Sequence, residues 1–255
     1  RDGRRLVYEP GAIVLHQPVK PYIFNVRATY QREAERAMAH LASIGVRKVA
    51  VVHVDDSFGA DGLQGARNGL KAAGLEPVAV AKFDRTKPDF APLLPALQAA
   101  APQAVLIIGS GTAVVEGIRS LKAARVGSQY LTLSNNASGG FIKLLGDQAQ
   151  GVIVSQVMPA SLNFGLVKEA TQLAKAQGVD DLSPAMLEGF ASAKVLVEGL
   201  RRAGAKPSRA SLHQALDNLG RLDLGGLVLD YSPSDHTGLD FADLSIVGTG
   251  GRFRR

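Results

Sequence analysis

Polar and aromatic residues that could bind a small molecule follow three of the strand-like runs in this sequence. They are Asp55 and Phe58 after the run at 49–54; Gly109, Ser110 and Thr112 after the run at 104–108; and Ser134 and Asn135 after the run at 130–133. In open α/β sheets, ligands bind beyond the carboxyl ends of the strands and near helix N-termini. We therefore take these seven residues as the candidate site residues.

The glycine-containing loop Gly109-Ser110-Gly111-Thr112 has two interpretations. Its backbone N–H groups and hydroxyls could receive a carboxylate or another polar ligand group. Equally, it could be a tight strand-to-helix turn with Thr112 as the N-cap of the next helix. A dinucleotide-binding GxGxxG motif is disfavoured, because position 114 is Val114 rather than glycine.

Asp55 and Asp56 could bind a ligand ammonium group or a metal ion. Adjacent residues on an extended segment point to opposite sides, so both are not expected to serve one ligand. One of them is predicted to cap the following helix. Phe58 fits either an aromatic wall of a cleft or a cover over the edge of the sheet.

The residue types needed for catalysis do not form a recognisable pattern. The five histidines show no HExxH spacing, and neither a GxSxG elbow nor a Walker loop is present. The chain has no cysteine, which excludes structural disulfides, thiolate metal sites and a cysteine nucleophile. We predict a protein that is not an enzyme and that uses no metal and no cofactor.

The elements that position the candidate residues alternate regularly along the chain. Strand-like runs recur about every 22 to 30 residues with helical segments between them, the spacing of βαβ units. This predicts an α/β fold with a parallel sheet. The uniformly apolar run at 104–108 indicates a strand covered on both faces, and a further strand is expected at 22–26.

The pattern changes after residue 160. Helices are predicted at 164–176, 184–203 and 209–219, followed by strands at 227–230 and 244–247. The length of 255 residues allows two lobes of moderate size, each with its own core.

Composition narrows the classes of partner. No run approaches the ~18 to 20 continuous apolar residues of a membrane span. The net charge of +6 is partly concentrated at the two ends of the chain, and the other Lys and Arg residues are scattered among acidic ones. This distribution favours a solvated surface over a nucleic-acid interface.

Six segments share their order and spacing with a known family. They are YIFNVRATY at 22–30, VAVVHVDDSFG at 49–59, QVMP at 156–159, LEGF at 187–190, SPSDHTG at 232–238 and GRF at 251–253. Together they resemble the branched-chain amino acid (Leu/Ile/Val) type of periplasmic solute-binding protein, the receptor subunit of ABC importers.

The resemblance implies the type I periplasmic-binding-protein fold, with two Rossmann-like lobes, parallel sheets and a three-strand hinge. The first lobe, which is expected to be incomplete, comprises 1–27 and 157–229, and the second comprises 28–156 and 230–255. On this mapping the aromatic wall falls on Phe58 and the next pocket loop on 109–112. The segment that often offers an acid to the ligand ammonium falls on 134–136, which has no carboxylate. Either Asp55 or Asp56 then meets the ammonium, or the ligand lacks an amine.

The implied function is capture of an amino acid or related small carboxylate by lobe closure. The ligand would pass to a membrane permease, and the protein would be periplasmic after loss of a leader that this chain does not contain. With an incomplete first lobe, the helices at 164–219 are expected to expose apolar faces that a homodimer could cover. An alternative is a ligand-sensing regulatory or receptor domain of the same fold. A nucleotide-binding enzyme is disfavoured, and no nucleic-acid partner is expected.

Overall fold

The structure is a computed structural model that describes residues 11–254. The helices in that range are α1 (Tyr30–Ser43), α2 (Ser57–Ala72), α3 (Leu94–Ala100), α4 (Gly111–Ala123), α5 (Gly139–Leu145), α6 (Gly165–Ala176), α7 (Pro184–Arg202) and α8 (Arg209–Asp217). The strands are β1 (Val49–Val54), β2 (Ala79–Phe83), β3 (Ala104–Ile108), β4 (Gln129–Thr132), β5 (Ile153–Gln156), β6 (Gly220–Asp223), β7 (Val228–Tyr231), β8 (Asp243–Val247) and β9 (Phe253–Arg254).

The chain divides into two compact units. Unit 1 comprises Arg1–Thr29 and Val157–Phe241, and unit 2 comprises Tyr30–Gln156 and Ala242–Arg255. The boundary after Phe241 lies twelve residues beyond the one predicted after residue 229. The turn after β7 stays in unit 1 because it pairs with Asn25, whose N–H donates to the His236 carbonyl at 2.9 Å. That the two units act as the lobes of a ligand-binding protein stays a prediction.

Unit 2 is built on a seven-stranded sheet. The strand order is β2-β1-β3-β4-β5-β8-β9; the first five strands are parallel, β8 is antiparallel to β5, and β9 is antiparallel to β8. Every residue of β1 and β3 is buried. The α/β fold with a mostly parallel, doubly covered sheet is therefore confirmed.

Helices cover both faces of this sheet. On one face, α3, α4 and α5 pack on alternate strand residues such as Val52 and Ile107. On the other face, α1 and α2 approach each other closely, because α2 presents glycines to α1. A Cβ at Gly65 would overlap the backbone of Gln31, so only glycine permits this spacing.

Unit 1 places its apolar core among α6, α7, α8, the β6–β7 hairpin and the segment 22–28. The three helices predicted after residue 160 are confirmed to within two residues at each end. The predicted strand at 22–26 is wrong: within residues 11–254, this segment makes a single ladder contact, an isolated bridge between Asn25 and Thr237. Asn25 and Val26 pair with the turn at 236–239, whereas the Ile23 N–H donates to the Lys20 carbonyl, so no regular strand forms.

Within residues 11–254, no helix combines the length and the apolar character that crossing a membrane requires.

Candidate ligand-binding site

Three loops of unit 2 carry the seven candidate site residues. The loops 55–58, 109–112 and 134–136 follow β1, β3 and β4, which are neighbours in the sheet. Since these strands are parallel, their carboxyl ends meet at one edge. We call these three loops the carboxyl edge of unit 2, and the structure places all seven residues on it.

The first loop separates its two aspartates as expected. The side chain of Asp55 is 60% exposed and pairs with the equally exposed side chain of Lys82, whose ammonium group lies 3.2 Å from the carboxylate. Asp56 turns the other way and is the N-cap of α2, accepting a hydrogen bond from the Gly59 N–H at 3.1 Å. The predicted division of roles is therefore confirmed for Asp56, and Asp55 keeps an accessible carboxylate.

The electrostatics of Asp56 reflect its structural role. Burial raises the pKa of its carboxyl. The hydrogen bond from the Gly59 N–H, the hydrogen bond and charge of Arg85, and the Phe58 N–H lower it by more. The net pKa of Asp56 lies below its usual value, so this carboxylate is charged and committed to the helix terminus at neutral pH.

Phe58 lies in the first turn of α2. Its ring is half-buried, packs partly against the core of unit 2 and meets the Tyr30 ring edge-on with centroids 4.6 Å apart. Both interpretations of this residue survive: the inner side of the ring covers the sheet edge, and its remaining surface can contact a ligand.

The second loop begins α4. Ser110, not Thr112, is the N-cap residue, and its side chain makes no capping hydrogen bond. The interpretation with Thr112 as the N-cap is therefore wrong, because the helix begins two residues earlier than that cap requires, at Gly111, and Thr112 already lies in its first turn. Both hydroxyls are exposed. Because the Ser110 side chain does not cap α4, the first N–H groups of this helix are candidate donors to an anion.

The third loop is bound to the second by amide groups. Asn135 and Asn136 both donate to the Gly109 carbonyl, at 2.9 and 3.2 Å, and Asn136 also donates to the Thr132 hydroxyl at 2.8 Å. Asn136 is almost fully buried, and its Oδ1 has no hydrogen-bond partner within the described part of the chain. These bonds fix the spacing of the loops after β3 and β4.

Ser134 has a different role from its neighbours. Its N–H and hydroxyl donate to the carboxylate of Glu33 at 2.9 and 3.0 Å, and the Ser155 hydroxyl donates to the same carboxylate. Glu33 is fully buried in the first turn of α1. A buried carboxylate is stable only with such donors, so this cluster holds α1 against the ends of β4 and β5.

Sequence reasoning missed Glu33, although a signal was present. Tyr30, Ala34, Ala37 and Leu41 repeat at helical spacing and form the buried face of α1, and Glu33 falls on the same face. An acidic residue on an apolar helix face requires hydrogen-bond donors, and those donors are Ser134 and Ser155.

Metal chemistry has no support at this edge. Residues 11–254 contain no group of three or more His, Asp or Glu side chains that could hold a metal ion. Two cavities of about 580 and 590 Å³ open elsewhere on unit 2, one beside α1 and β8 and one beside the C-terminal end of α3. None of the seven candidate residues lines either of these two cavities.

Comparison with known proteins decides the family. The sequence pattern of the family described as periplasmic binding protein matches residues 1–242. The chain belongs to this family.

Several solved structures resemble this periplasmic binding protein. A substrate-binding periplasmic protein from Ralstonia solanacearum is 31% identical with a TM-score of 0.79, over 92% of this chain and 69% of that one. An extracellular ligand-binding receptor from Verminephrobacter eiseniae is 28% identical with a TM-score of 0.82, over 96% and 71%. A possible leucine/isoleucine/valine-binding protein from Rhodopirellula baltica is 25% identical with a TM-score of 0.79, over 92% and 67%. No curated protein matches the chain significantly.

The family settles the coarse interpretation. The chain has the type I periplasmic-binding-protein fold, as the resemblance implied. Periplasmic binding proteins bind small-molecule ligands, generally for delivery to membrane transporters. They are typically not enzymes and act outside the cytoplasm.

Proposed function

We propose that this periplasmic binding protein captures an amino acid or a related small carboxylate and delivers it to the permease of an ABC importer. In this proposal the carboxyl edge of unit 2 supplies one part of the ligand site, and closure of two lobes over the ligand, which the family resemblance implies, is the mechanism.

One observation carries the proposal. At the carboxyl edge, some polar side chains make hydrogen bonds that stabilise the fold, and others are exposed to solvent. Asp56 and Ser134 are committed to the α2 cap and to Glu33. Asp55, Ser110 and Thr112 remain exposed beside them. A surface that keeps complementary polar groups exposed between rigidly bonded ones is suited to binding a ligand.

The open groups match the two ends of an amino acid. The uncapped N–H groups of α4 and the hydroxyls of Ser110 and Thr112 would receive the ligand carboxylate, as helix N-termini favour anions. Asp55, at the end of a neighbouring strand, would meet the ammonium group. Phe58 would contact the aliphatic or aromatic part of the ligand.

Thermal-shift screening tests the proposal. Amino acids and their analogues without the amine form the panel, and a bound ligand at one hundred times its Kd stabilises the folded protein by about 2.7 kcal/mol. We expect at least one carboxylate to raise Tm. The absence of any stabilising carboxylate, on a chain shown to be folded, would contradict the proposal.

Substitutions at α4 then locate the site. The variants Ser110→Ala and Thr112→Val should each weaken binding of the identified ligand by about tenfold to a hundredfold, because one hydrogen bond to a charged group is lost. Neither side chain makes a structural hydrogen bond in the described residues, so Tm without ligand should be nearly unchanged. The matched control is Thr249→Val on the exposed turn after β8. Equal loss of binding in the control would count against the carboxyl edge.

A further inference from the structure

A groove on unit 2 lies apart from the carboxyl edge. A cavity of about 580 Å³ opens between α1 and the strands β5, β8 and β9, and every residue that lines it belongs to unit 2. None of the seven candidate site residues is among them. Six of the lining residues define what we call the α1–β9 groove: Arg36, His40, Ser43, Ile153, Ile246 and Arg254.

The floor of the groove is a row of residues on three neighbouring strands. Ile153 of β5 pairs with Ile246 of β8, and Ile246 pairs with Arg254 of β9. Directly paired residues on neighbouring strands have their side chains on one face of the sheet. Ile246 is 39% exposed although its strand lies between two others, whereas Ile153 is buried. The row therefore changes from apolar to cationic toward the last strand of the sheet.

One side of α1 forms the wall of the groove. Arg36, His40 and Ser43 follow one another at steps of four and three residues, which places them on one face of the helix. All three are exposed, while Leu41 of the same helix is buried. The Arg36 Nε donates to the Ala242 carbonyl, just before β8, at 3.4 Å. This contact keeps the Arg36 guanidinium beside the strand that forms the floor.

Arg254 lies on the other side of β8 from α1, on the last strand of the sheet. A Cβ at Gly248 would lie 2.7 Å from both Cδ and Nε of Arg254, so this side chain lies directly against the glycine backbone at the end of β8. A larger residue at 248 would displace it. The position of the Arg254 guanidinium at the groove therefore depends on the glycine in this turn.

The groove carries more positive than negative charge. Arg36 and Arg254 are charged at all physiological pH values. Within residues 11–254, neither guanidinium forms an ion pair with a carboxylate. Asp243 also lines the cavity, and its Oδ1 accepts a hydrogen bond from the Leu244 N–H at 2.9 Å. Guanidinium groups bind carboxylate and phosphate groups through paired hydrogen bonds, so the groove is complementary to an anion.

We propose that the α1–β9 groove is a second binding site, for a small organic anion. The carboxylate or phosphate group of this anion lies between Arg36 and Arg254, and its aliphatic part lies on Ile153 and Ile246. The cavity volume falls within the roughly 300–1,000 Å³ of small-molecule sites, which combine apolar walls with a few polar groups that fix orientation. The proposal is independent of the proposed transport function, because it uses none of the residues of the carboxyl edge.

Charge favours a separate anion over a second copy of the chain as the occupant. Packing of two copies about a two-fold axis brings the same surface of each copy into contact. On this face, such packing would set Arg36 and Arg254 against the same cations of the partner copy, which is unfavourable.

The first experiment measures binding of three probes to the full chain by isothermal titration. The probes are hexyl phosphate, inorganic phosphate and hexanol, which separate the anionic group from the aliphatic part. We expect hexyl phosphate to bind more tightly than either of the other two. Arg36→Gln and Arg254→Gln should each weaken hexyl phosphate binding by about tenfold to a hundredfold, because hydrogen bonds to a charged group are lost. The matched control is Arg67→Gln, an exposed arginine on α2, which should leave binding unchanged.

The variant Ile246→Thr tests the floor of the groove. It keeps a β-branched residue in β8 and removes apolar surface. Hexyl phosphate binding should weaken by about fourfold, the value of one buried methylene group, while binding of inorganic phosphate should be unchanged. Equal weakening of both probes would overturn the assigned position of the aliphatic part. Circular dichroism and Tm confirm that each variant is folded.

Three further outcomes would overturn the proposal. The first is that hexyl phosphate shows no saturable binding. The second is an equal loss in Arg67→Gln, which would indicate general attraction by the net charge of +6. The third is that Arg254→Gln changes the mass in solution, measured by sedimentation, without changing hexyl phosphate binding, which would make this face a contact between two copies.

Amide chemical shifts separate this site from the proposed transport site. Hexyl phosphate should shift amide resonances of α1, β8 and β9 and leave those of the loops 55–58, 109–112 and 134–136 unchanged. Shifts in the three loops alone would place the phosphate at the carboxyl edge and overturn the second site. Failure of the amino-acid screen would leave the expected shifts in α1, β8 and β9 unaffected, so the two proposals fail separately.

Discussion

The contacts inside unit 2 of this periplasmic binding protein differ in kind from those inside unit 1. Unit 2 has strands that are buried from end to end, such as β1 and β3, and helices on both faces of a continuous sheet. The described part of unit 1 has only the two-stranded β6–β7 sheet, in which buried and exposed residues alternate in β7.

Unit 1 contains a polar cluster centred on His236 that joins distant segments. The His236 ring is 2% exposed and stacks on Phe24 with centroids 4.0 Å apart. Its Nε2 lies 2.9 Å from an Asp217 carboxylate oxygen, and its Nδ1 lies 3.0 Å from the Ile23 carbonyl. One side chain thus joins the segment 20–24, the end of α8 and the turn after β7.

This difference indicates which kind of substitution should destabilise each unit most. In unit 2, the stabilising free energy is spread over buried apolar area, which scales with the surface removed from water. In unit 1, several segments share a few polar groups whose loss leaves other buried groups without partners. Apolar truncation should therefore be most damaging in the sheet of unit 2, and polar truncation at His236 of unit 1.

The largest expected effect is that of Leu106→Ala. Leu106 is fully buried in β3, the strand between β1 and β4. Its truncation should lower the free energy of unfolding by about 2–5 kcal/mol, the range for a leucine-to-alanine cavity. Urea denaturation combined with hydrogen exchange should locate the loss in unit 2.

The control for this cavity is Leu144→Ala on α5, where the side chain is 51% exposed. Its cost should stay within about 1 kcal/mol. Similar costs for Leu106 and Leu144 would mean that buried sheet area does not dominate the stability of unit 2.

A smaller loss is expected for His236→Ala. The substitution removes the stacked ring and leaves Asp217 and the Ile23 carbonyl without this partner, which should cost roughly 2–3 kcal/mol. Hydrogen exchange should become faster in peptides from 20–26 and 217–236 of unit 1, with little change in β1 and β3. His40→Ala, an exposed histidine on α1, is the control. Equally faster hydrogen exchange in both units would contradict the prediction that His236 stabilises unit 1 locally.

The fold of unit 2 was predictable because its signals are local. A run such as 104–108 is apolar at every position, and this alone indicates a strand covered on both faces. In unit 1, the segment 22–26 has strand-like composition, yet its backbone pairs with a turn more than two hundred residues later. Composition does not reveal whether a neighbouring strand exists.

The candidate site was predictable in position but not in detail. The carboxyl ends of parallel strands share an edge, so the seven residues could be grouped from the sequence. The commitment of Ser134 to Glu33 joins residues 101 positions apart, and no periodicity predicts which hydroxyl meets a buried carboxylate. The N-cap of α4 at Ser110 rather than Thr112 is a shift of two residues, within the normal uncertainty of a helix boundary.

Helix caps allow a further comparison of the two units, because the cap of α2 in unit 2 is charged and the cap of α8 in unit 1 is neutral. Asp56→Ala removes the cap of α2 and should cost about 1 kcal/mol at pH 7. The folded-state pKa of Asp56 is lowered from 3.8. Its stabilisation is therefore fully present above that value and is lost as the pH falls through the folded pKa. The difference in urea midpoint between the unsubstituted chain and the variant should therefore be smaller at a pH well below 3.8 than at pH 7.

The matched variant is Ser208→Ala in unit 1. Ser208 caps α8 in a capping box with Ser211, and neither hydroxyl titrates in this range. Its cost of about 1 kcal/mol should be the same at both pH values. A pH-dependent effect at Ser208, or a pH-independent one at Asp56, would refute the assigned role of the Asp56 charge.

The smallest expected effect on stability is that of Asp55→Asn. Asp55 and Asp56 are adjacent, but the Asp55–Lys82 ion pair is 60% exposed at both side chains. An exposed ion pair contributes at most about 1 kcal/mol, and often nothing measurable. Asp55→Asn should therefore leave the urea midpoint almost unchanged. Under the proposed function, it should nevertheless weaken binding of an amino acid more than binding of the same acid without its amine. A loss of stability equal to that of Asp56→Ala would assign Asp55 to the structure. Equal weakening for both ligands would remove it from the ammonium site, because only a charge that opposes an ammonium group can distinguish the two ligands in this way.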